Sequence, residues 1–493
     1  MPDHVSAKPV RRGRSDVAVR RLWASSGATL KAPLIASLKA PLRAGDKVVL
    51  TTLGTAGDVY PFVAIAQRLK ARGMRPVVAT SSFHRPLVES RGIEFCPLAP
   101  DETQLLHDLG EPFEVLMRRV MHPISGPRFG ITRIVLPYLA QTHRQLEAAC
   151  RDAALLVSHT YSFAAPLLAE RTGIQWRSLC LQPLTFLSAH DPAVLSAQVP
   201  VHRLQPWLGP QHYARLLRMV RFATRGWMRP VRRLRRELGL PETRLHPLFD
   251  GQFAPQGVYA MFDPLLMRDT RDLPVAVRFA GFTHFDGTDA LLPASLSDFL
   301  DRGDAPIVCT LGTSAVHNPG HFYQVASDCC RRLGRRAVFL GSPQTMTPDL
   351  PDDQWAVPWA SHRALFARAA LVVHQGGMGT CGQALRAGVP QLVVPFANDQ
   401  PDNAARLTGL GVALSLRVSH LGEASMHGAL HRLLHEPEFA AQARDVATRL
   451  LPQDGAETVA GWLSDDPADP VERSGPDDAL AAPAASAVAG GRA

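Results

Sequence analysis

Three stretches hold side chains whose types and spacing could do chemistry. The first is Gly54-Thr55-Ala56-Gly57-Asp58, which follows the apolar, β-branched run Lys47–Thr52. A hydroxyl is a poor nucleophile until a base takes its proton, and a carboxylate at a strand tip can be that base. It can equally well cap the helix that follows, and the loop by itself leaves both readings open. The second stretch is His374-Gln375-Gly376-Gly377-Met378-Gly379-Thr380, after the apolar run Ala370–Val373. Gly376, Gly377 and Gly379 permit backbone conformations that other residues resist. The helix opened by Thr380 turns N–H groups and a positive dipole end toward that loop, which suits a phosphate or diphosphate. The third stretch is Asn398-Asp399-Gln400, at the end of Gln391–Pro395, where Pro401 begins another helix. Asp399 reads either as a site carboxylate or as a cap on that helix.

The elements that must position these residues alternate between strand and helix. Strands are predicted at Lys47–Thr52, Pro76–Thr80, Glu94–Leu98, Ala154–Ser158, Arg177–Leu181 and Gly257–Phe262, with helices at Phe62–Arg72 and Pro137–Arg151 between them. Gly257–Phe262 reads as the last strand of a first domain, and an Asp-, Pro- and Gly-rich linker runs to about Pro293. A second alternating set starts with Pro306–Leu311, carrying Gly312-Thr313-Ser314 at its end, and continues through Ala337–Leu340 and the glycine-rich stretch; helices around 422–451 close it. The helix after Gly379 stops at Gly388. Such βαβ repetition implies parallel sheets. The opening loop is not the dinucleotide fingerprint, because Asp58 follows its second glycine and the third glycine is missing.

His374-Gln375-Gly376-Gly377-Met378-Gly379-Thr380, Ala387-Gly388-Val389-Pro390 and then Asp399-Gln400 together resemble the donor-binding signature of family 1 glycosyltransferases. The resemblance extends from about Lys47 to about Leu450, and it is strongest to the bacterial rhamnosyltransferase B chain and sterol glucosyltransferase group, the former through Thr160–Phe163 and Leu187–Pro192. Most such proteins carry His-His-Gly-Gly where this chain has His374-Gln375-Gly376-Gly377. The resemblance implies an α/β protein of GT-B fold, two facing Rossmann-like domains with parallel sheets and a cleft between them. It implies a first domain over 47–280 that binds the acceptor and a second over 281–463 that binds a UDP- or dTDP-sugar, flanked by a basic extension at 1–46 and a tail at 464–493. Carried over residue by residue, Asp58 is the catalytic base. His374, Gly376, Gly377, Gly379 and Thr380 hold the diphosphate, Thr313 and Ser314 approach it, Trp359 flanks the nucleotide base, and Asp399 and Gln400 bind the donor sugar. His159, Ser162 and His190 fall near strand ends and are candidate acceptor contacts, although polar residues there often only form turns.

The implied reaction is inverting transfer to a hydroxyl of a small hydrophobic acceptor. No Asp-x-Asp occurs in the chain, so no metal and no cofactor beyond the nucleotide sugar is expected. A sugar-nucleotide epimerase shares the architecture, and the Asp399-Gln400 signature argues against it; a non-catalytic homologue acting as a partner is the other alternative, and retention of Asp58, His374 and Asp399-Gln400 argues against that.

Composition bounds the rest. The chain of 493 residues is long enough for two or three domains, and 46% hydrophobic content is ordinary for a globular protein. The formal charge of +9 comes mostly from the first 47 residues, so the remainder is near neutral, which argues against nucleic acid as a partner. No stretch has the length of a membrane-spanning helix and no secretory leader is recognisable. The seven scattered cysteines read as reduced thiols of a cytoplasmic protein. Residues 211–240 repeat arginine at helical spacing: either a solvated face, or a basic amphipathic surface for the membrane's inner face or for a lipid-like acceptor. Pro230 must interrupt any single long helix there.

Overall fold

The computed structural model describes residues 42–196, 198, 200–273, 277–285, 287, 291–341 and 350–465. The basic extension up to residue 41 and the tail from residue 466 lie outside them. Among the described residues two sheets form. The first contains β1 (Lys47–Thr51), β2 (Arg75–Thr80), β3 (Glu94–Pro97), β4 (Ala153–His159), β5 (Gln175–Cys180), β6 (Val258–Ala260) and β7 (Val277–Phe279), in the order β3-β2-β1-β4-β5-β6-β7. The second contains β8 (Ile307–Thr310), β9 (Ala337–Leu340), β10 (Gln354–Val357), β11 (Leu371–His374), β12 (Gln391–Val393) and β13 (Ala413–Ser415), in the order β10-β9-β8-β11-β12-β13. The strands pair in parallel throughout, as at Val49↔Val77, Val49↔Leu156 and Val373↔Cys309. Both faces of such a sheet are covered, which is why the strands read as continuous apolar runs rather than alternating ones.

Six helices matter for the site: α1 (Ala56–Ala71), α2 (Gln205–Thr224), α3 (Arg229–Glu237), α4 (Met378–Ala387), α5 (Gln400–Gly409) and α6 (Gly455–Asp465). Val48 and Leu50 of β1, Phe62, Ile65 and Leu69 of α1, and Ala456, Val459 and Ala460 of α6 share one core. The last described helix therefore returns to the first sheet, and Arg68 holds Asp454 at 3.2 Å beside it. A second core joins the halves: Phe186, Phe253 and Phe262 pack with Cys381, Leu385 and Leu407. Between the halves Arg406 of α5, almost fully buried, bonds Asp191 at 2.7 Å and Asp402 at 2.8 Å.

Most elements lie within a residue or two of their predicted positions, with several corrections. Gly257–Phe262 does not hold the last strand of the first sheet; β7 follows inside the predicted linker. Short strands β10 and β13, four and three residues long, were not legible because neither offers enough alternation to register. α1 begins at Ala56 rather than Phe62: Thr55 is its N-cap, Asp58 closes its first turn, and the helix runs on through Pro61 in its interior, where proline ordinarily argues against a helix. α4 starts two residues before Thr380, and α6 runs two residues into the predicted tail. The break before Pro230 stands as expected, between α2 and α3.

Candidate active site

Strand order reverses between β1 and β4 in the first sheet and between β8 and β11 in the second. At such switch points the loops leaving the carboxyl ends diverge and open a crevice for ligand. Asp58 follows β1, and His159 and Ser162 end or follow β4. Thr313 follows β8, and the glycine loop follows β11. The candidate residues thus gather at the two crevices.

Asp58 lies in the first turn of α1. Its Oδ2 accepts from the Thr55 N–H at 2.9 Å and from Thr55 Oγ1 at 3.3 Å. The Asp58 carboxylate therefore closes back on the N-cap residue, and these bonds occupy one of its oxygens only. Gly54 makes this possible: at φ +139° a Cβ on it would lie 2.2 Å from Asp58 Oδ2. Burial pushes the Asp58 carboxyl up to about 6 against the lowering effect of the Thr55 bonds. Across the crevice Asp399 is pushed to about 7, by burial first and also by the negative charge of Asp58, while the Asn403 amide works against it. Both carboxylates act on Tyr161: burial, then Asp399, then Asp58 raise its hydroxyl. The carboxyl ends of the two sheets therefore face each other.

The glycine loop is built from beneath. His374 is fully buried. Its Nδ1 accepts the Gly376 N–H at 3.1 Å, and its Nε2–H donates to Gln391 Oε1 at 2.9 Å. Burial holds the ring neutral, with a pKa lowered to about 4. Both ring nitrogens are engaged within the protein, so His374 fixes the loop rather than lining it. Gly376 takes φ +91°, and a Cβ there would meet Val393 Cγ1 at 2.8 Å and Gln400 O at 3.2 Å. Gly377 is the N-cap of α4, and no side chain caps that helix. Gln375 is buried, its Oε1 has no partner, and its Nε2 lies where a Cβ on Gly377 would come within 2.8 Å of it.

Asn403 ties the second and third stretches together. Its Nδ2 donates to Gly376 O at 2.8 Å and to Asp399 Oδ2 at 2.7 Å. Gln400 turns its Oε1 back onto the N–H groups of Phe396, at 2.8 Å, and Ala397, at 3.1 Å. Asn398, just before, takes φ 57°, a left-handed conformation that Asn tolerates best after glycine. Trp359, after β10, is 43% exposed, so packing does not account for it. Thr313 is exposed in the short helix Gly312–Ala315; the side chain of Ser314 lies outside the described ones.

The acceptor candidates separate. His159 is buried with Nε2 unpartnered, its ring 5.2 Å from that of Tyr161 and 6.2 Å from that of Phe62; burial lowers its pKa to about 4. Ser162 is buried, and its Oγ points at Thr51 O, 3.4 Å away. His190 is half-buried in a turn where its N–H donates to Ser188 Oγ at 3.0 Å, away from that cluster. Reading the residues named Gly54 and Gln375 without giving either a role, and missed Asn403. Only Asn403 left a signal, its spacing of four from Asp399 on a helix.

Two parallel α/β sheets that meet through the carboxyl ends of their strands, with an uncapped helix start in the second, define a GT-B glycosyltransferase fold. Residues 48–170 match the glycosyltransferase family 28 N-terminal domain, and residues 340–465 match the C-terminal domain of the erythromycin biosynthesis protein CIII-like family. The chain is 29% identical over 421 residues to the O-mycaminosyltylonolide 6-deoxyallosyltransferase of Streptomyces fradiae, covering 84% of this chain and 96% of that one. It is 26% identical over 433 residues to the sterol 3-beta-glucosyltransferase of Neosartorya fischeri, again over 84% of this chain but spanning only 29% of that longer protein. Among solved structures, the calicheamicin glycosyltransferase CalG4 superposes with a TM-score of 0.61 at 18% identity, over 85% of this chain and 96% of that one. The Streptomyces glycosyltransferase SsfS6 in complex with thymidine diphosphate gives 0.54 at 20% identity, over 84% and 98%. The chain belongs to the family 1 glycosyltransferases, enzymes that use a sugar nucleotide as donor.

Proposed function

We propose that this chain transfers a hexose or deoxyhexose, with inversion, from a dTDP- or UDP-sugar to a hydroxyl of a small hydrophobic acceptor such as a polyketide, sterol or hydroxy-fatty acid. The observation that carries this reading is the pair of raised carboxylates, Asp58 and Asp399, on opposite sides of the crevice beside an uncapped helix start. Asp58 takes the proton of the acceptor hydroxyl through the oxygen its cap leaves available. The acceptor oxygen bonds to the anomeric carbon as the bond from that carbon to the diphosphate oxygen breaks. The charge released onto the diphosphate is met by the amides at the start of α4, preorganised donors of the kind that favour a transition state over a ground state. His374 and Asn403 hold that loop in place. Asp399 and the Gln400 amide group hold the sugar hydroxyls, and Trp359 offers a face to the base. Thr313 and Ser314 approach the diphosphate; His159 lines the acceptor side near Tyr161 with Ser162 beside it, and His190 would meet an acceptor only from its own turn, away from that cluster.

A helix start that takes up the leaving charge makes a metal unnecessary, in keeping with the lack of Asp-x-Asp in the sequence. The acceptor class draws on the relatives, whose names describe transfer to O-mycaminosyltylonolide and to a sterol. The thymidine diphosphate bound by SsfS6 favours a thymidine donor.

Donor hydrolysis and transfer by the purified chain, measured over a panel of dTDP- and UDP-sugars with excess EDTA, test the reading. Asp58→Asn should lose roughly 10²–10⁴-fold in turnover, the worth of general-base catalysis, with nucleotide affinity unchanged. Nucleotide binding without transfer by the wild-type chain would point instead to a partner role, and loss of activity in EDTA would overturn metal independence.

A further inference from the structure

The transferase reading leaves α2 unused. Between Arg203 and Arg236 the chain has ten arginines and no aspartate or glutamate. Three of them, Arg221, Arg233 and Arg235, are ion-paired with Asp250, Glu237 and Glu170. Arg215, Arg218 and Arg225 have no acidic partner among the described residues. α2 bends at Gly209 and is regular beyond it. One side of that regular part buries Tyr213, Leu217 and Thr224. At 100° per residue Arg215, Arg218 and Phe222 fall on the opposite side with Met219 beside them, and Arg225, the C-cap, falls on the flank. Phe222 is 72% exposed and Met219 67%; Trp207, at the amino-terminal end of the same helix, is 89% exposed.

An exposed Phe and Met interleaved with unpaired arginines, with an exposed Trp beyond the bend, is not a face that water alone stabilises. Scattered apolar residues on a surface are ordinary, but a cluster rimmed by one sign of charge marks an interaction site. Two demands fall on any occupant: it must carry negative charge across the arginines and accept apolar side chains between them. Nucleic acid satisfies the first and leaves Met219 and Phe222 wet. The headgroup region of an anionic bilayer satisfies both, with arginines at the phosphates and apolar tips in the acyl boundary.

We propose that the outer face of α2 docks this protein on an anionic lipid bilayer, with the helix lying in the plane of the interface. No helix among the described residues is long and apolar enough to cross a membrane, so the contact is peripheral. The buried side of α2 packs through Tyr213 and Leu217 onto Ala189, two residues before the Asp191 that Arg406 of α5 holds. Docking therefore places the bilayer one helix away from the segment that carries Asp191, independently of which sugar or acceptor the crevice takes.

Flotation of the full chain with phosphatidylcholine vesicles, and with vesicles in which half the lipid is phosphatidylglycerol, tests this. The chain should float with the anionic vesicles and not with the neutral ones, and salt should weaken the binding. Each arginine near a charged surface is worth about fivefold in partitioning, so Arg215→Ala/Arg218→Ala/Arg225→Ala should reduce it roughly a hundredfold. Trp207→Ser/Phe222→Ser should remove the part of the binding that survives high salt. All five side chains are outside the packed cores, so melting temperature should stay as in the wild type. Anionic-vesicle binding that persists in both variants would assign it elsewhere, for example to the basic first 41 residues, and overturn the proposal. So would a failure to float, or tighter binding to duplex DNA than to anionic vesicles.

Discussion

Two helix starts face the crevice, and they are finished in opposite ways. α1 begins with Thr55 and brings its own Asp58 back to the Thr55 N–H, so its positive end is met by a carboxylate of the chain. α4 begins at Gly377 and no side chain caps it. The same dipole thus fixes a base in one place and is left for a ligand's charge in the other. Each is enforced by a glycine: Gly54 clears space for the carboxylate, and Gly376 clears Val393 so that the loop can turn under the amides. A helix that caps itself is a poor anion site, and one that does not is costly unless something comes to fill it.

The largest effects should come from undoing each glycine. Gly54→Ala would drive a methyl group into Asp58 Oδ2 and displace the carboxylate without touching the second sheet. Turnover should fall by about the 10²–10⁴-fold of Asp58→Asn, with dTDP affinity by calorimetry unchanged. Gly376→Ala should do the reverse: nucleotide affinity falls, and turnover falls by roughly 10²-fold or more as the preorganised donors move. If both variants lost nucleotide affinity equally, the division of labour between the two helix starts would be wrong.

Next in size is the connection that holds the two starts in register. Arg406→Ala leaves Asp191 and Asp402 buried without their counter-charge, which should cost about 3–5 kcal/mol of stability. The loss would be read as a lower denaturant midpoint. Asp402 also accepts from the Val194 N–H at 2.9 Å, so the segment around Asp191 should loosen with it.

The donor half was the more legible of the two. The glycine loop, the stop at Gly388 and the Asp399-Gln400 turn are all written in residues whose backbone demands are specific. What escaped were contacts between stretches far apart in the chain, Asn403 reaching Gly376 and Arg406 crossing to Asp191, and one local steric fit, Gly54 yielding to the Asp58 side chain in the next turn. His374 is instructive. Its position was evident from spacing, but its engagement of Gly376 and Gln391 depends on β11 and β12 being paired, which no local pattern encodes. Between β3 and β4 only the helix at Pro137–Arg151 was legible, and between β5 and β6 only the arginine spacing of 211–240; the short irregular helices around them offered no period to read.

A smaller effect separates the two carboxylates by pH. Asp58 must be ionised to act as base, and its pKa of about 6 lies below that of Asp399, at about 7. Turnover should rise about tenfold per pH unit below that range and level off above it, with apparent values that belong to the pair. In Asp58→Asn the residual rate should lose this acid limb.

The smallest effect tests Asp399 in the absence of substrate. Its carboxyl is raised from 3.8 to about 7 in the folded protein. Between those values the folded state keeps a proton that the unfolded state has released, so stability falls as pH rises through that window and the loss is complete above it. Asp399→Asn removes the titration and keeps an oxygen for the Asn403 amide. The variant should melt with the wild type near pH 4 and above it at pH 8, and the difference in melting temperature between the two pH values is the quantity that checks it. A variant less stable at pH 8 would mean that Asp399 is held as a favourable anion by the turn around Asn398, and the asymmetry between the two helix starts would then extend to their carboxylates.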